Sequence, residues 1–152
     1  MYLKLRFYDI EREYYTLRNS WPIEELTVSY SQLVLYQNGI KEPYPEWKEV
    51  DLKRGYISQN GILSIETLSN TTCEVRVGVI DEYKTIKESV RSFLLPFEVL
   101  EDGVIISSVG QKGLFFDVPK GSYSIHFDAF PLEPSNAEEL YRVRYIFQFK
   151  RV

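Results

Sequence analysis

Apolar and polar side chains alternate along much of this chain with a period of two, the pattern of strands that bury one face. The clearest case lies near the C-terminus, where Tyr141, Val143, Tyr145, Phe147 and Phe149 share one face and Arg142, Arg144, Gln148 and Lys150 the other. Cys73, Val75, Val77 and Val79 alternate in the same way against Glu74, Arg76 and Gly78. From Leu26 to Tyr36 the apolar set shifts phase, from Leu26, Val28 and Tyr30 to Leu33 and Leu35. A one-residue slip exchanges the buried and exposed faces, so this stretch predicts a strand with a bulge near Ser31. Leu3, Leu5 and Phe7 alternate with Lys4, Arg6 and Tyr8, which reads as a strand within an N-terminal extension spanning residues 1–20.

Turn residues punctuate the pattern. Asn60 and Gly61 separate Tyr56–Ile57 from Ile62–Ile65, the strongest short-range hairpin signal a sequence offers. Asp102 and Gly103 between Val90–Leu100 and Val104–Val109 predict a second hairpin. Pro119, Lys120 and Gly121 predict a third reversal, in which proline presets the turn, glycine supplies positive φ, and Asp117 orders the approach. Between Asn38 and Arg54 the periodicity vanishes, and Gly39, Pro43 and Pro45 mark a loop carrying Tyr44 and Trp47. Pro131–Glu139 reads as a second loop, with one helical turn at Asn136–Leu140. About eight or nine strands joined by tight turns, with no amphipathic helix of roughly 10–15 residues between them, predict an all-β domain over residues 21–152. An antiparallel β-sandwich is the first choice of architecture and a partly open β-barrel the second.

Composition changes this picture mainly by exclusion. The aromatic fraction of 15%, with 12 Tyr and 9 Phe, supplies a large core and favours strands. A net charge of −4 argues against direct binding to nucleic-acid phosphates and makes a basic partner the easier guess. Cys73 is the sole cysteine, so no internal disulfide forms, and on an apolar strand it reads as a small buried hydrophobe. Met1–Ile10 lacks the uninterrupted apolar run of roughly 7–15 residues that a signal peptide needs, which points to a cytoplasmic chain. No stretch approaches the ~20 apolar residues of a membrane span, and only the Arg142–Arg151 strand carries the basic and aromatic mix of a peripheral membrane surface.

Candidate chemistry is sparse. With one histidine and one cysteine the chain cannot assemble an all-His/Cys zinc site, and its glycines fall singly in turns, away from any phosphate loop. A Ser/His/Asp triad would have to run through His126, whose place between Ser124 and Asp128 on a strand favours a surface or hydrogen-bonded histidine. The sequence therefore predicts no enzyme and no cofactor. A carbohydrate-binding sandwich using Tyr44, Trp47 and Tyr56 as stacking platforms is the alternative class, against which aromatic residues on strands more commonly pack inward.

Charge placement is more informative than charge total. Within Glu42–Asp51 of the first predicted loop, Glu42, Glu46, Glu49 and Asp51 stand against Lys48 alone, and Glu133, Glu138 and Glu139 occupy the second loop without a basic residue. Together these segments carry more negative charge than the whole chain's net −4. Carboxylates on loops face solvent, and an embedded Trp47 and Tyr44 would give them a desolvated anchor at an interface with a basic cleft. Trp47 reads equally well as a lid folded back over the core.

Five stretches in order resemble the competence-associated DNA-entry nuclease inhibitor family, Nin or ComJ. They are Glu25–Gln32, Glu46–Glu49 with Lys53–Tyr56, Asn60–Glu66, Pro96–Val99, and Phe116–Tyr123. The resemblance runs from about Glu24 to the C-terminus and leaves the first 20 residues outside the pattern. It implies a protein that binds and inhibits a bacterial DNase, or the immunity protein of a nuclease toxin. Charge reasoning then nominates Glu42, Tyr44, Glu46, Trp47, Glu49, Asp51, Glu133, Glu138 and Glu139 as the partner-binding set, of which Glu46, Trp47 and Glu49 lie on a resembling stretch.

Overall fold

The computed structural model describes residues 20–41, 43–138 and 140–152, so the expected strand at Tyr2–Ile10 and the carboxylates of Glu42 and Glu139 lie outside the described residues. Among the described residues, ten strands form two facing five-stranded sheets, a β-sandwich. Sheet A has the order β1-β5-β10-β9-β6 and sheet B the order β3-β4-β2-β7-β8. The strands are β1 (Glu24–Thr27), β2 (Gln32–Gln37), β3 (Tyr56–Gln59), β4 (Ile62–Glu66) and β5 (Thr72–Ile80), followed by β6 (Arg91–Val99), β7 (Val104–Ser107), β8 (Leu114–Phe116), β9 (Gly121–Pro131) and β10 (Val143–Arg151). Pairing is antiparallel apart from β5 with β10, which run parallel.

The inward faces are those that alternation marks. Val143, Tyr145, Phe147 and Phe149 of β10 meet Tyr123, Ile125 and Phe127 of β9 and the Leu33, Leu35, Leu63 and Ile65 set of sheet B, all essentially fully buried. Each such side chain contributes about 1.5–3 kcal/mol by leaving water, so the aromatic seam of Phe127, Tyr145 and Phe147 outweighs any of the surface ion pairs. Cys73 is buried in this core, and desolvation pushes its thiol up to about 12, as suits an inert apolar filler.

Three reversals differ from expectation for one reason: alternation says which face of a strand is buried and is silent about which sheet holds it. The phase shift between Leu26 and Leu35 is a change of sheet, because a turn at Ser29–Gln32 passes the chain from β1 in sheet A to β2 in sheet B where a bulge was expected. The Asp102–Gly103 turn likewise joins β6 in sheet A to β7 in sheet B, and the two strands do not pair. Pro119–Gly121 connects β8 to β9 across the sheets as well, and Lys120 N donates to Asp102 Oδ1 at 2.7 Å, while Asp117 accepts the Trp21 indole N–H at 2.7 Å. Asn60–Gly61 is the hairpin the sequence predicts, with both residues at positive φ and Gln59 paired to Ile62.

Two long connections each lie across the outside of a sheet. The β5–β6 connection covers sheet A, where Tyr83 donates to Ser124 O at 2.6 Å and the Gln148 amide bonds both backbone groups of Lys84. The β2–β3 connection covers sheet B, which is why Val34 and Ser64, facing away from the core, are nevertheless fully buried. Its last part is helical where a loop was expected: α1 (Glu49–Arg54) is too short to show a period of 3.6 in the sequence.

Candidate functional site

The strand registers put both acidic segments at the same end of the sandwich. This is the end where β2, β3, β6 and β10 begin and where β1, β4, β7 and β9 finish. The two sheets are tied together there by Arg91 Nη1 donating to Glu66 O at 2.7 Å and by Leu68 N donating to the Tyr145 hydroxyl at 3.1 Å.

The first acidic segment reaches this end along the outer face of sheet B. Pro43 is buried, and the Tyr44 hydroxyl lies 3.3 Å from Ser107 Oγ and donates to Ser108 O at 3.1 Å. Trp47 is half-buried, its indole N–H donating to Gln32 Oε1 at 3.3 Å, and the same oxygen accepts the Ser64 hydroxyl at 3.0 Å. Trp47 thus lies over the outside of sheet B, neither sealed in the sandwich core nor wholly displayed. Glu46 and Glu49 are exposed, and neither holds an ion pair with a described residue.

Asp51 departs from the nominated set. It is 8% exposed and is spent on α1: Oδ2 accepts the Lys48 N–H at 2.9 Å, reaching back over the helix N-terminus, and Oδ1 takes Arg54 Nη2 at 2.8 Å. Gly55, at φ 92°, closes the helix and donates its N–H to Asp51 O at 2.7 Å. Asp51 is therefore part of the mount and does not belong to the displayed face.

The second acidic segment follows β9. Glu133 is exposed, with one carboxylate oxygen accepting the Arg142 N–H at 2.8 Å, and Glu138 is exposed. Asn136 exchanges two hydrogen bonds with the Leu140 backbone, forming a turn where a helical turn was expected. Two nearby cations are already matched: Arg142 bridges Glu25 and Glu74, and Arg144 also holds Glu74, so these two arginines pair away from the loop carboxylates.

Between the two segments stands a feature that sequence reasoning placed inside a strand. Tyr30 and Ser31 occupy the centre of the Ser29–Gln32 turn at φ 54° and 55°. Two consecutive positive-φ positions ordinarily take Gly, Asn or Asp, and the left-handed region costs an ordinary L-residue about 1–2 kcal/mol. Surrounding groups hold the turn in place. Ser29 N donates to the fully buried Ser108 Oγ at 2.8 Å, and that oxygen lies 3.0 Å from Ser29 O and 2.7 Å from Gln32 O. Ser31 N donates to Asn70 Oδ1 at 2.8 Å, Asn70 Nδ2 donates to Ser31 Oγ at 3.1 Å, and Thr67 N donates to Ser31 O at 3.0 Å. Tyr30 itself is 78% exposed. Nothing but the phase shift at Ser31 pointed to this turn.

Ser92 Oγ and Asp128 Oδ2 lie 3.0 and 3.6 Å from the same His126 nitrogen, Nε2, while Nδ1 is buried without a hydrogen bond. A triad needs the hydroxyl and carboxylate on opposite ring nitrogens, so this trio is not one. No group of three or more His, Cys, Asp or Glu side chains suited to a metal ion occurs among the described residues. Of the three proposed sugar platforms two are partly covered: Arg54 lies over a face of Tyr56 at 4.6 Å, the Tyr56 ring packs edge-on against Phe93, and Trp47 lies half-buried, while Tyr44 is exposed. No described helix is long and apolar enough to cross a membrane.

Comparison with known proteins agrees with the resemblance carried by the five stretches. A Bacillus subtilis (strain 168) protein described as a DNA-entry nuclease inhibitor is 31% identical over 117 residues, spanning 77% of this chain and 88% of the relative. The crystal structure of ComJ from Bacillus subtilis, described as an inhibitor of the DNA degrading activity of NucA, superposes with a TM-score of 0.77 at 29% identity, covering 88% of this chain and 97% of that one. A structure described as crocagin biosynthetic gene J shares the fold alone, with 10% identity and a TM-score of 0.52 over 86% of this chain and 94% of that one. Because the family model for competence protein J (ComJ) matches residues 25–150, nearly the whole two-sheet domain, this chain belongs to the ComJ family.

Proposed function

We propose that this chain is a stoichiometric protein inhibitor of a bacterial DNase and that it occupies the enzyme's basic substrate groove with one end of its sandwich. The class of function is supported by the descriptions of the Bacillus subtilis relative and of the ComJ crystal structure. The mode of inhibition is supported chiefly by one observation: two acidic segments, separated by most of the sequence, hang from the same end of the fold. A DNA-cutting groove must attract phosphates, and a surface bearing Glu46, Glu49, Glu133 and Glu138 offers carboxylates where DNA would offer phosphates. Tyr44 and Trp47 supply apolar area beside them, since charge alone steers an encounter more than it prolongs one. The reading needs no catalytic group of the inhibitor's own.

The test is a titration. A NucA-type DNase from the organism that encodes this chain is held at fixed concentration, and cleavage of a fluorogenic DNA duplex is followed as the inhibitor is added. A sharp break near an equimolar ratio supports a stoichiometric block. Unchanged cleavage at a large excess of inhibitor overturns the proposal. Inhibition that vanishes as DNA concentration rises separates a competitive, groove-filling mode from a block elsewhere on the enzyme.

A further inference from the structure

We infer that Tyr30 is the central anchor of the nuclease-binding end, a role that rests on the inhibitor reading and names the residue it turns on. The fold makes no visible use of this side chain: Tyr30 is 78% exposed, and among the described residues it enters no hydrogen bond or ring contact. Its backbone nevertheless sits at φ 54°, where a tyrosine is a conformational outlier and glycine would be relaxed. A residue kept in an unfavourable conformation by its surroundings, with no contact of its own to show for it, is the kind that serves a partner.

Its mount points the same way. Ser108, Asn70 and the Thr67 N–H fix backbone groups of Ser29, Ser31 and Gln32 on both sides of Tyr30, so the ring is held out on a turn already ordered before binding. A preorganised aromatic loses little freedom when it docks, which makes tyrosine on a stiff turn an efficient contact. Its place is central. On one side the Ser108 carbonyl accepts the Tyr44 hydroxyl, leading to Glu46, Trp47 and Glu49. On the other, the 67–70 link that holds Ser31 accepts Tyr141 N on Ser69 Oγ, leading to Arg142 and Glu133. Val50 and Leu52 on α1 and Leu140 in the second loop are further exposed apolar side chains on the two acidic segments. An aromatic flanked by two acidic segments fits a DNase presenting a depression within a basic surface, the arrangement in which central aromatics dominate affinity and rim charges tune it.

The experiment uses the full chain and the same NucA-type DNase, with Tyr30→Gly, Tyr30→Asn and Tyr30→Phe measured beside the parent for inhibition constant and thermal midpoint. Glycine and asparagine accept positive φ, so both variants are expected to melt at or above the parent temperature while inhibiting at least about 30-fold more weakly. Tyr30→Phe keeps the ring and is expected to stay within about tenfold of the parent. If the parent inhibits and Tyr30→Gly inhibits equally well, Tyr30 is not the anchor and the inhibitor reading stands. If the parent neither binds nor inhibits the enzyme, the inhibitor reading falls and this inference falls with it. A Tyr30→Gly variant that loses inhibition and also melts far below the parent, with Tyr30→Asn doing the same, overturns the claim by making the side chain structural.

Discussion

Ser108 carries Ser29: its buried hydroxyl oxygen accepts the Ser29 N–H at 2.8 Å and lies 3.0 Å from the Ser29 carbonyl. Serine therefore fixes from below the turn that Tyr30 caps from above. Ser108→Ala should leave the Ser29 N–H without a partner in a part-buried setting and release the Gln32 carbonyl, destabilising the domain by about 2 kcal/mol. Urea denaturation checks this, and a loss below about 0.5 kcal/mol would mean water replaces the hydroxyl at no disadvantage. The variant should also inhibit less well than its stability alone explains, because a loosened turn must be reordered on binding.

Asp51 gives the opposite signature. With one oxygen on Lys48 N and the other on Arg54, Asp51→Ala removes the cap of α1 and should lower stability by about 1 kcal/mol. Once corrected for the folded fraction, inhibition should be unchanged, since the carboxylate does not face solvent. Matched denaturation and inhibition curves decide this. A tenfold loss of inhibition in a fully folded variant would return Asp51 to the interface.

The contrast between these residues shows what the sequence could convey. The buried faces of β5 and β10 were legible because one side chain in two enters a core, and Val75, Val77, Val143 and Phe147 obey that alternation. The allocation of strands to sheets was not, because Asp102–Gly103 has the same local chemistry whether it closes a hairpin or steps from one sheet to the other. The acidic segments were readable as charge on aperiodic chain. Asp51 was read as a loop carboxylate because a six-residue helix leaves too few positions for a period to show. Tyr30 was hidden for a different reason: its turn draws stability from Ser108, Asn70 and Thr67, all distant in sequence, in place of a local Gly or Asn.

Alkaline pH should weaken the fold in a window set by two core groups. Burial raises the Cys73 thiol from 9.0 to about 12 and raises the Tyr145 phenol as well, with desolvation the main cause in both. The unfolded chain then binds fewer protons than the native one once pH passes 9, so stability falls as pH rises and is intact below that value. The loss from Cys73 should be on the order of a few kcal/mol by pH 12. Urea midpoints from pH 8 to 11 test the sign, and Cys73→Ala should flatten the decline. At pH 8 native thiolate is expected at about one part in ten thousand, so labelling by a thiol reagent should proceed at the rate of unfolding. Rapid labelling of native protein would contradict the burial of Cys73.

The displayed carboxylates predict a kinetic effect more than a thermodynamic one. Glu46, Glu49, Glu133 and Glu138 are exposed, so each contributes little to the fold, and replacing all four with Gln should shift the thermal midpoint by no more than a few degrees. Exposed charges act over about 10 Å at 0.1 M ionic strength, which is far enough to guide two proteins together but too weak to hold them. The quadruple variant should therefore associate with the DNase about 10- to 100-fold more slowly at low salt while dissociating at nearly the parent rate. Raising the salt concentration should slow the parent towards the variant, and the two should converge. Stopped-flow association measured at several ionic strengths resolves the issue, because parent and variant curves that run parallel, with no convergence at high salt, would show that these four side chains do not face the enzyme's basic groove. Should the difference lie wholly in dissociation, the carboxylates would instead be making direct, desolvated contacts, and the aromatic centre would carry a smaller share of the binding than its exposure and rigid mount imply.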